Sequence, residues 1–62
     1  MTRKDFELIA LTIDDSRRGY DESEEEALEA VLRTARLLSI NLKAINPRFD
    51  RQRFLDACGF GN

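Results

Sequence analysis

The sequence predicts a small all-α protein, with three helices in one domain that spans residues 1–62. Two observations lead to this prediction: apolar residues recur at helical spacing, and capping residues or a proline stand at the ends of the apolar stretches. A chain this short hides only about 60% of the surface that its unfolded form exposes, so we expect a thin core. Its single cysteine excludes an internal disulfide, and without histidine it has no Cys/His zinc site. Self-association remains as a source of added stability.

The first predicted helix covers about residues 3–18. Thr2 precedes it and is a favourable N-cap, because a threonine hydroxyl can accept a hydrogen bond from the first turn. Gly19 follows it and is expected to end the helix in the left-handed conformation. One apolar stripe runs along this helix and consists of Phe6, Ile9, Ala10 and Ile13.

The second predicted helix is the longest and covers about residues 23–45. Ser23 and Glu26 have the spacing of a capping box at its start. Pro47 ends it, because the residue before a proline is driven away from helical angles. Its apolar residues are spaced alternately by three and four positions, like a short coiled-coil seam: Leu28, Val31, Ala35, Leu38, Leu42 and Ile45.

The second half of this helix is apolar on more sides than one seam requires. Leu37, Ile40 and Ala44 lie off the seam, on a face that a small bundle would leave in solvent. A second copy of the chain, or another protein, is the most economical cover for this face. We therefore predict a homodimeric helical bundle with a long central helix. The residues expected to contact the copy or another partner are Leu37, Leu38, Ile40, Leu42 and Ile45.

The third predicted helix is short and covers about residues 51–57. Asp50 is a good N-cap, and Phe49 and Phe54 stand at the two positions of a hydrophobic staple. Gly59 is expected to close this helix in the left-handed conformation. The residues that follow Gly59 are expected to form a frayed tail.

No residue pattern predicts an enzyme. Asp14 and Asp15 are adjacent on a helix, so their carboxylates point about 100° apart instead of facing each other across a cleft. Cys58 lies at a predicted helix C-terminus, where the helix dipole opposes a thiolate, and no histidine exists to activate it. We expect Cys58 to be a small buried hydrophobic residue. The sequence therefore predicts no catalytic, cofactor-binding or metal-binding residue and no cofactor.

Charge is distributed unevenly, although the net charge is only −2. Residues 1–29 carry four basic and ten acidic side chains, whereas residues 30–62 carry six basic and two acidic ones. Such asymmetry is typical of a charged partner, or of two halves that face each other in a bundle. Arg48, Arg51 and Arg53 alternate with two phenylalanines, so this segment is a candidate for nucleic-acid contact through phosphates and stacked bases. The alternative places both rings in the core and leaves the arginines as a solvated face.

The sequence indicates a cytoplasmic protein without membrane contact. No apolar run approaches the roughly 18 residues that a membrane span needs. The charged start, with acidic residues in the first turns, is unlike a secretion signal. A lone thiol also suits a reducing compartment.

Both ends of the chain resemble a set of very short proteins encoded by bacteriophages and prophages. The resemblance consists of an R-K-D-aromatic start at Arg3-Lys4-Asp5-Phe6 and an N-P-x-F-D-x-x-x-F-x-x-A-C tail from Asn46 to Cys58. It covers about the first ten and the last fifteen residues and carries over no activity and no functional residue. What it implies is a setting in the cytoplasm of a bacterial host, where small phage proteins commonly bind one host or phage protein, including components of defence systems.

Three functional hypotheses follow from the sequence and this resemblance. The first is a phage-type accessory protein that acts by protein–protein interaction and occludes a host or defence-system protein. The second is a nucleic-acid-associated accessory protein that uses Arg48, Arg51 and Arg53. The third is a structural or assembly protein of the virion.

Overall fold

The computed structural model describes residues 2–61, and these residues form an all-α fold. Helix α1 spans Arg3–Arg18, α2 spans Glu25–Ile45 and α3 spans Arg51–Leu55. A single π-helical turn at Asp56–Phe60 continues α3. The described residues contain no β-strand, and their three helices extend over 36 × 18 × 18 Å. The predicted all-α fold class and the three-helix arrangement are confirmed.

Helix α1 has the predicted bounds because its first turn is capped as the sequence indicates. The N–H of Asp5 donates to Oγ1 of Thr2 at 3.4 Å, and the N–H of Thr2 donates to Oδ2 of Asp5 at 2.8 Å. This reciprocal pair is a capping box with aspartate in place of the usual glutamate. The bond from the Thr2 backbone N–H lowers the pKa of the Asp5 carboxyl below its ordinary value.

The predicted left-handed end of α1 is wrong. Gly19 has φ −73° and ψ −9°, which is right-handed and open to most residues. Its N–H donates to the Ser16 carbonyl at 3.2 Å, and the next N–H donates to the Arg17 carbonyl at the same distance. The helix therefore ends in a tightened last turn, which satisfies these carbonyls without a left-handed residue.

The predicted capping box at the start of α2 is also wrong. Oγ of Ser23 donates to Oδ2 of Asp21 at 2.8 Å, so it does not cap the helix. The Glu24 N–H donates to the Asp21 carbonyl at 2.9 Å and closes a turn before the helix. Aspartate side chains compete for local donors in this way and favour turns over helix. Helix α2 consequently begins at Glu25, two residues later than predicted.

The core lies between the three helices and is small. Aromatic rings fill the space between α1 and α3, with ring centroids of Phe6 and Phe49 at 4.9 Å and of Phe49 and Phe54 at 5.4 Å. The second contact confirms the predicted hydrophobic staple, and Oδ1 of Asp50 caps α3 by accepting from the Arg53 N–H at 3.0 Å. The buried apolar residues are Ala10, Ala35, Leu42, Phe49, Phe54 and Cys58.

The end of the chain is more ordered than predicted. Gly59 has φ +94°, so the predicted left-handed residue at this position is confirmed. Phe60 was expected to fray, but it is half-buried and packs against the core. Its ring centroid lies 6.0 Å from Cζ of Arg17, which is close enough for a cation–π contact. The π-helical turn brings the ring back over α1, and Asn62 lies outside the described residues.

Candidate interaction surfaces

Three apolar residues form a stripe on the side of α2 that faces away from the core. Leu37 is 52% exposed and Ile40 is 47% exposed, and Ala44 is exposed one turn further on. Their spacing of three and four residues places them on one helix face. We call Leu37, Ile40 and Ala44 the outer face of α2.

The other residues predicted to contact a partner lie elsewhere. Leu42 is only 6% exposed and belongs to the core of its own chain, because the heptad seam faces α1 and α3. Leu38 is half-buried against the same core. Ile45 is exposed, but it lies to the side of the outer face at the end of α2. The structure therefore brings Leu37 and Ile40 together on one surface and separates Leu38, Leu42 and Ile45 from them.

The charges of the molecule are separated along its length. Helices α1 and α2 are antiparallel. Ile13 and Val31 line the same cleft at one end of the molecule, and Phe6 and Asn46 line the same groove at the other end. Six acidic residues lie between positions 21 and 29 at the first end, with no basic residue among them. Positions 30–49 hold four basic residues and no acidic one. The outer face of α2 therefore lies in the basic half of the helix.

A groove of about 620 Å³ lies between the first half of α1 and the segment from Asn46 to Ala57. We call it the α1–α3 groove. Phe6 and the 56% exposed side chain of Leu11 provide its accessible apolar surface, and the nearly buried rings of Phe49 and Phe54 lie beneath. No residue of α2 lines it, so this groove and the outer face of α2 are separate surfaces.

The three predicted arginines divide between two sides of the molecule. Arg48 and Arg53 line the α1–α3 groove together with Arg3. Arg51 lies on the other side of α3, where its Nε donates to Oγ of the buried Ser39 at 3.2 Å. The segment therefore does not present its arginines as one continuous basic surface.

Lys43, which was not among the predicted functional residues, stabilises the turn at one wall of the groove. Nζ of Lys43 donates to the Pro47 carbonyl at 2.6 Å and to the Phe49 carbonyl at 3.1 Å. Oδ1 of Asn46 also accepts from the Arg48 N–H at 3.2 Å. These bonds fix the turn that carries one wall of the groove. The available signal was a lysine in the last turn of a helix, where it can bond to carbonyls beyond the helix end.

The phenylalanines of this segment belong to the core. Phe49 is 6% exposed and Phe54 is 4% exposed, so neither ring offers a free face for a base. Base stacking is what allows sequence-independent proteins to hold single-stranded nucleic acid. The placement of these rings matches the alternative in which they fill the core.

Asp14 and Arg17 form a polar cluster beneath the C-terminal turn. Nη2 of Arg17 lies 2.8 Å from Oδ1 of Asp14, and Nη2 of Arg18 lies 3.1 Å from its Oδ2. The hydrogen bond from Arg17 outweighs burial and lowers the pKa of the Asp14 carboxyl below its ordinary value. Asp14 is therefore an ionised structural group, and its neighbour Asp15 is exposed and points elsewhere.

Cys58 lies next to this cluster and is completely buried. Burial raises the pKa of the Cys58 thiol to about 11, and the nearby Asp14 carboxylate adds to this shift. A thiol with a raised pKa and no solvent contact is a poor nucleophile. This placement matches the expectation of a small buried hydrophobic residue.

We predict that Cys58 reacts with Ellman's reagent at pH 8 about 100-fold or more slowly than in the unfolded chain, because reaction requires opening of the core.

The raised pKa of the Cys58 thiol also predicts lower stability at high pH. The unfolded thiol ionises near 9.0, whereas the folded one stays protonated to about 11. The free energy of unfolding should therefore fall above pH 9. Subtracting the profile of Cys58→Ala isolates this effect, and equal slopes for the two proteins would contradict it.

Comparison with family models, with curated proteins and with solved structures finds no match to this chain. Within residues 2–61, no three acidic or cysteine side chains are grouped so that they could hold a metal ion. None of the helices in this part of the chain combines the length and the apolar character that crossing a membrane requires.

Proposed function

We propose that this chain is a protein-interaction module, which pairs with a second copy through the outer face of α2 and acts by occupying a surface of another protein. The observation that carries the proposal is the outer face itself. Leu37 and Ile40 remain about half exposed on a helix whose opposite side already supplies the core. Arg33 and Arg36 lie one turn before Leu37 and Ile40 on the same helix.

The extent of the exposed surface supports a partner of ordinary size. A folded monomer of 7.2 kDa exposes about 4100 Å² by the scaling of surface with mass. This chain exposes 4828 Å², which is about 700 Å² more than that scaling gives. A standard protein interface buries about 800 Å² of each partner. The excess is therefore close to what one interface would cover.

A second copy in antiparallel orientation is the proposed occupant of this face. With Ile40 near the two-fold axis, Leu37 of each copy lies next to Ala44 of the other, so the apolar residues of the two faces cover one another. The arrangement is a closed two-fold dimer, the commonest form of homo-oligomer.

We predict that the solution mass, measured by light scattering, equals two chains for the natural sequence and one chain for Leu37→Glu. A glutamate at this position would place a charged carboxylate in the apolar centre of the interface, where it would lose its contact with water. Leu8→Glu is the matched control, because Leu8 on α1 is even more exposed than Leu37 but lies outside both surfaces. It should leave the mass at two chains.

The dimer also has a result that would contradict it. A single-chain mass at all concentrations up to about 1 mM rejects the pair.

The phage setting and the occlusion of a host or defence-system protein remain part of this proposal, with the resemblance of the two chain ends as their support. A virion role is the alternative that recovery of the protein in purified particles would favour. The nucleic-acid alternative has less support, since the two phenylalanine rings are buried and Arg51 points away from the groove. It predicts oligonucleotide binding that weakens steeply with salt.

A further inference from the structure

We infer that the α1–α3 groove binds a segment of the partner protein that presents a large apolar side chain next to carboxylates. This inference rests on the proposed function for the class of the partner, which is a protein. It concerns a different surface from the outer face of α2, since no residue of that face lines the groove. The groove is thus the place where the dimer would hold its target.

The shape of the groove suits a short peptide segment. Its volume of about 620 Å³ lies in the range of about 300–1,000 Å³ that is usual for binding sites. The lining residues of α1 run from Arg3 to Leu11, which is about 12 Å along a helix. Three or four residues of an extended peptide have the same length. Phe6 and Leu11 are accessible apolar side chains of the groove, so an apolar side chain placed against them would lose its contact with water.

The groove is formed before a ligand arrives. Lys43 holds two carbonyls of the turn that carries Arg48, and Asp50 caps the helix that carries Arg53. Packing of Phe49 against Phe6 joins this turn to α1. Binding therefore requires little ordering of the protein, which lowers the entropic cost of association.

The charges at the rim select carboxylates. Within residues 2–61, Arg48 and Arg53 have no carboxylate within 4.0 Å. The lining contains three arginines and two carboxylates, which gives a net charge of +1; Glu7 pairs with Arg3 at 3.5 Å, and Asp50 accepts the capping hydrogen bond but keeps its charge. The guanidinium groups of Arg48 and Arg53 are therefore the groups that favour a carboxylate, which they can bind through two parallel hydrogen bonds.

The first experiment selects binders from a displayed library of random 12-residue peptides, with the natural protein as bait. We expect the enriched sequences to share a large apolar residue with aspartate or glutamate within two positions of it. No enrichment, or enrichment of basic sequences, overturns the inference. An excess of unlabelled deoxythymidine 12-mer is then tested as competitor. Displacement of the peptide at micromolar oligonucleotide reassigns the groove to nucleic acid.

The second experiment measures the affinity of the best enriched peptide by fluorescence anisotropy. We expect Arg48→Ala/Arg53→Ala to weaken binding about tenfold or more. Arg51→Ala is the matched control, because Arg51 belongs to the same segment but lies outside the groove. We expect it to leave the affinity within about twofold. Equal losses from both changes would show general attraction instead of a site.

Two further variants locate the peptide and separate this inference from the proposed dimer. Leu11→Glu should abolish binding, whereas Leu8→Glu, at a somewhat more exposed leucine outside the groove, should not. Leu37→Glu should retain the affinity of the natural chain, because the outer face of α2 does not line the groove. Loss of peptide binding in Leu37→Glu but not in Leu11→Glu would place the peptide on α2 and reject the groove.

Discussion

Replacement of Gly59 with alanine should lower the free energy of unfolding by at least about 2 kcal/mol. The positive φ of +94° at this position costs a residue with a Cβ about 1–2 kcal/mol. The Cβ would also meet Nε of Arg17 and come within 2.5 Å of Oδ1 of Asp14, so the ion pair between these residues must move. A chain of 62 residues has a total stability of about 3–9 kcal/mol. The loss is therefore a large part of the total.

Gly19→Ala is the control for this experiment, and both proteins are unfolded by urea while circular dichroism is recorded. Gly19 has φ −73°, and a Cβ there would lie 3.3 Å from the Ser16 carbonyl, which is a tight contact. This contact opposes the gain of about 0.4–1 kcal/mol that alanine gives at a compatible position through the unfolded state. A clearly larger loss of stability at Gly59 than at Gly19 is the expected result. A Gly59→Ala protein as stable as the natural chain would show that the C-terminal turn does not pack against α1.

Replacement of Leu42 with alanine should cost about 2–5 kcal/mol, since it leaves a cavity in a core that has few other large side chains. Leu42 is buried on the side of α2 that faces α1 and α3, whereas Leu38, one turn earlier, is only half-buried. The same change at Leu38 should therefore cost clearly less. The measurement is the midpoint of urea unfolding at one fixed protein concentration, because a dimer is stabilised by mass action.

Leu8→Ala is the baseline for these two changes, because it removes the same side chain from an exposed helical position. We expect it to change the stability by no more than about 0.5 kcal/mol. The order Leu42, Leu38, Leu8 is then the order of burial in the folded chain. Equal losses at Leu42 and Leu8 would mean that the heptad seam of α2 does not face α1 and α3.

Much of the secondary structure is contained in local sequence, and residues in direct contact along the chain decide it. Thr2 and Asp5 are three positions apart and cap α1 without help from the rest of the molecule. The same holds for Asp50 and Arg53 at the start of α3. The start of α2 was mispredicted because two local patterns compete there. Asp21 takes the hydroxyl of Ser23 that the capping box would need.

The two candidate surfaces differ in how far the sequence predicted them. Leu37 and Ile40 lie off the heptad line, and helical geometry alone places them opposite the seam. The α1–α3 groove was not predicted, because its walls come from residues 3–11 and 46–57, which are far apart in sequence. For the same reason, the sequence did not predict that the arginines lie on two sides of the molecule. The order of residues 48–54 does not reveal that Arg51 contacts Ser39 on another helix.

The sequence by itself determined the all-α class, the bounds of α1, the end of α2 and the left-handed residue at Gly59, since each depends on periodicity or on capping within a few residues. Only the tertiary structure decided that Leu42 is core, that Phe60 folds back over Arg17 and that a groove separates Arg48 and Arg53 from Arg51. The physical reason is that burial depends on which helix faces cover one another. In a bundle of three short helices, the packing of the helix faces depends on the conformations of the two turns that connect the helices. No single local sequence pattern predicts the conformation of either turn.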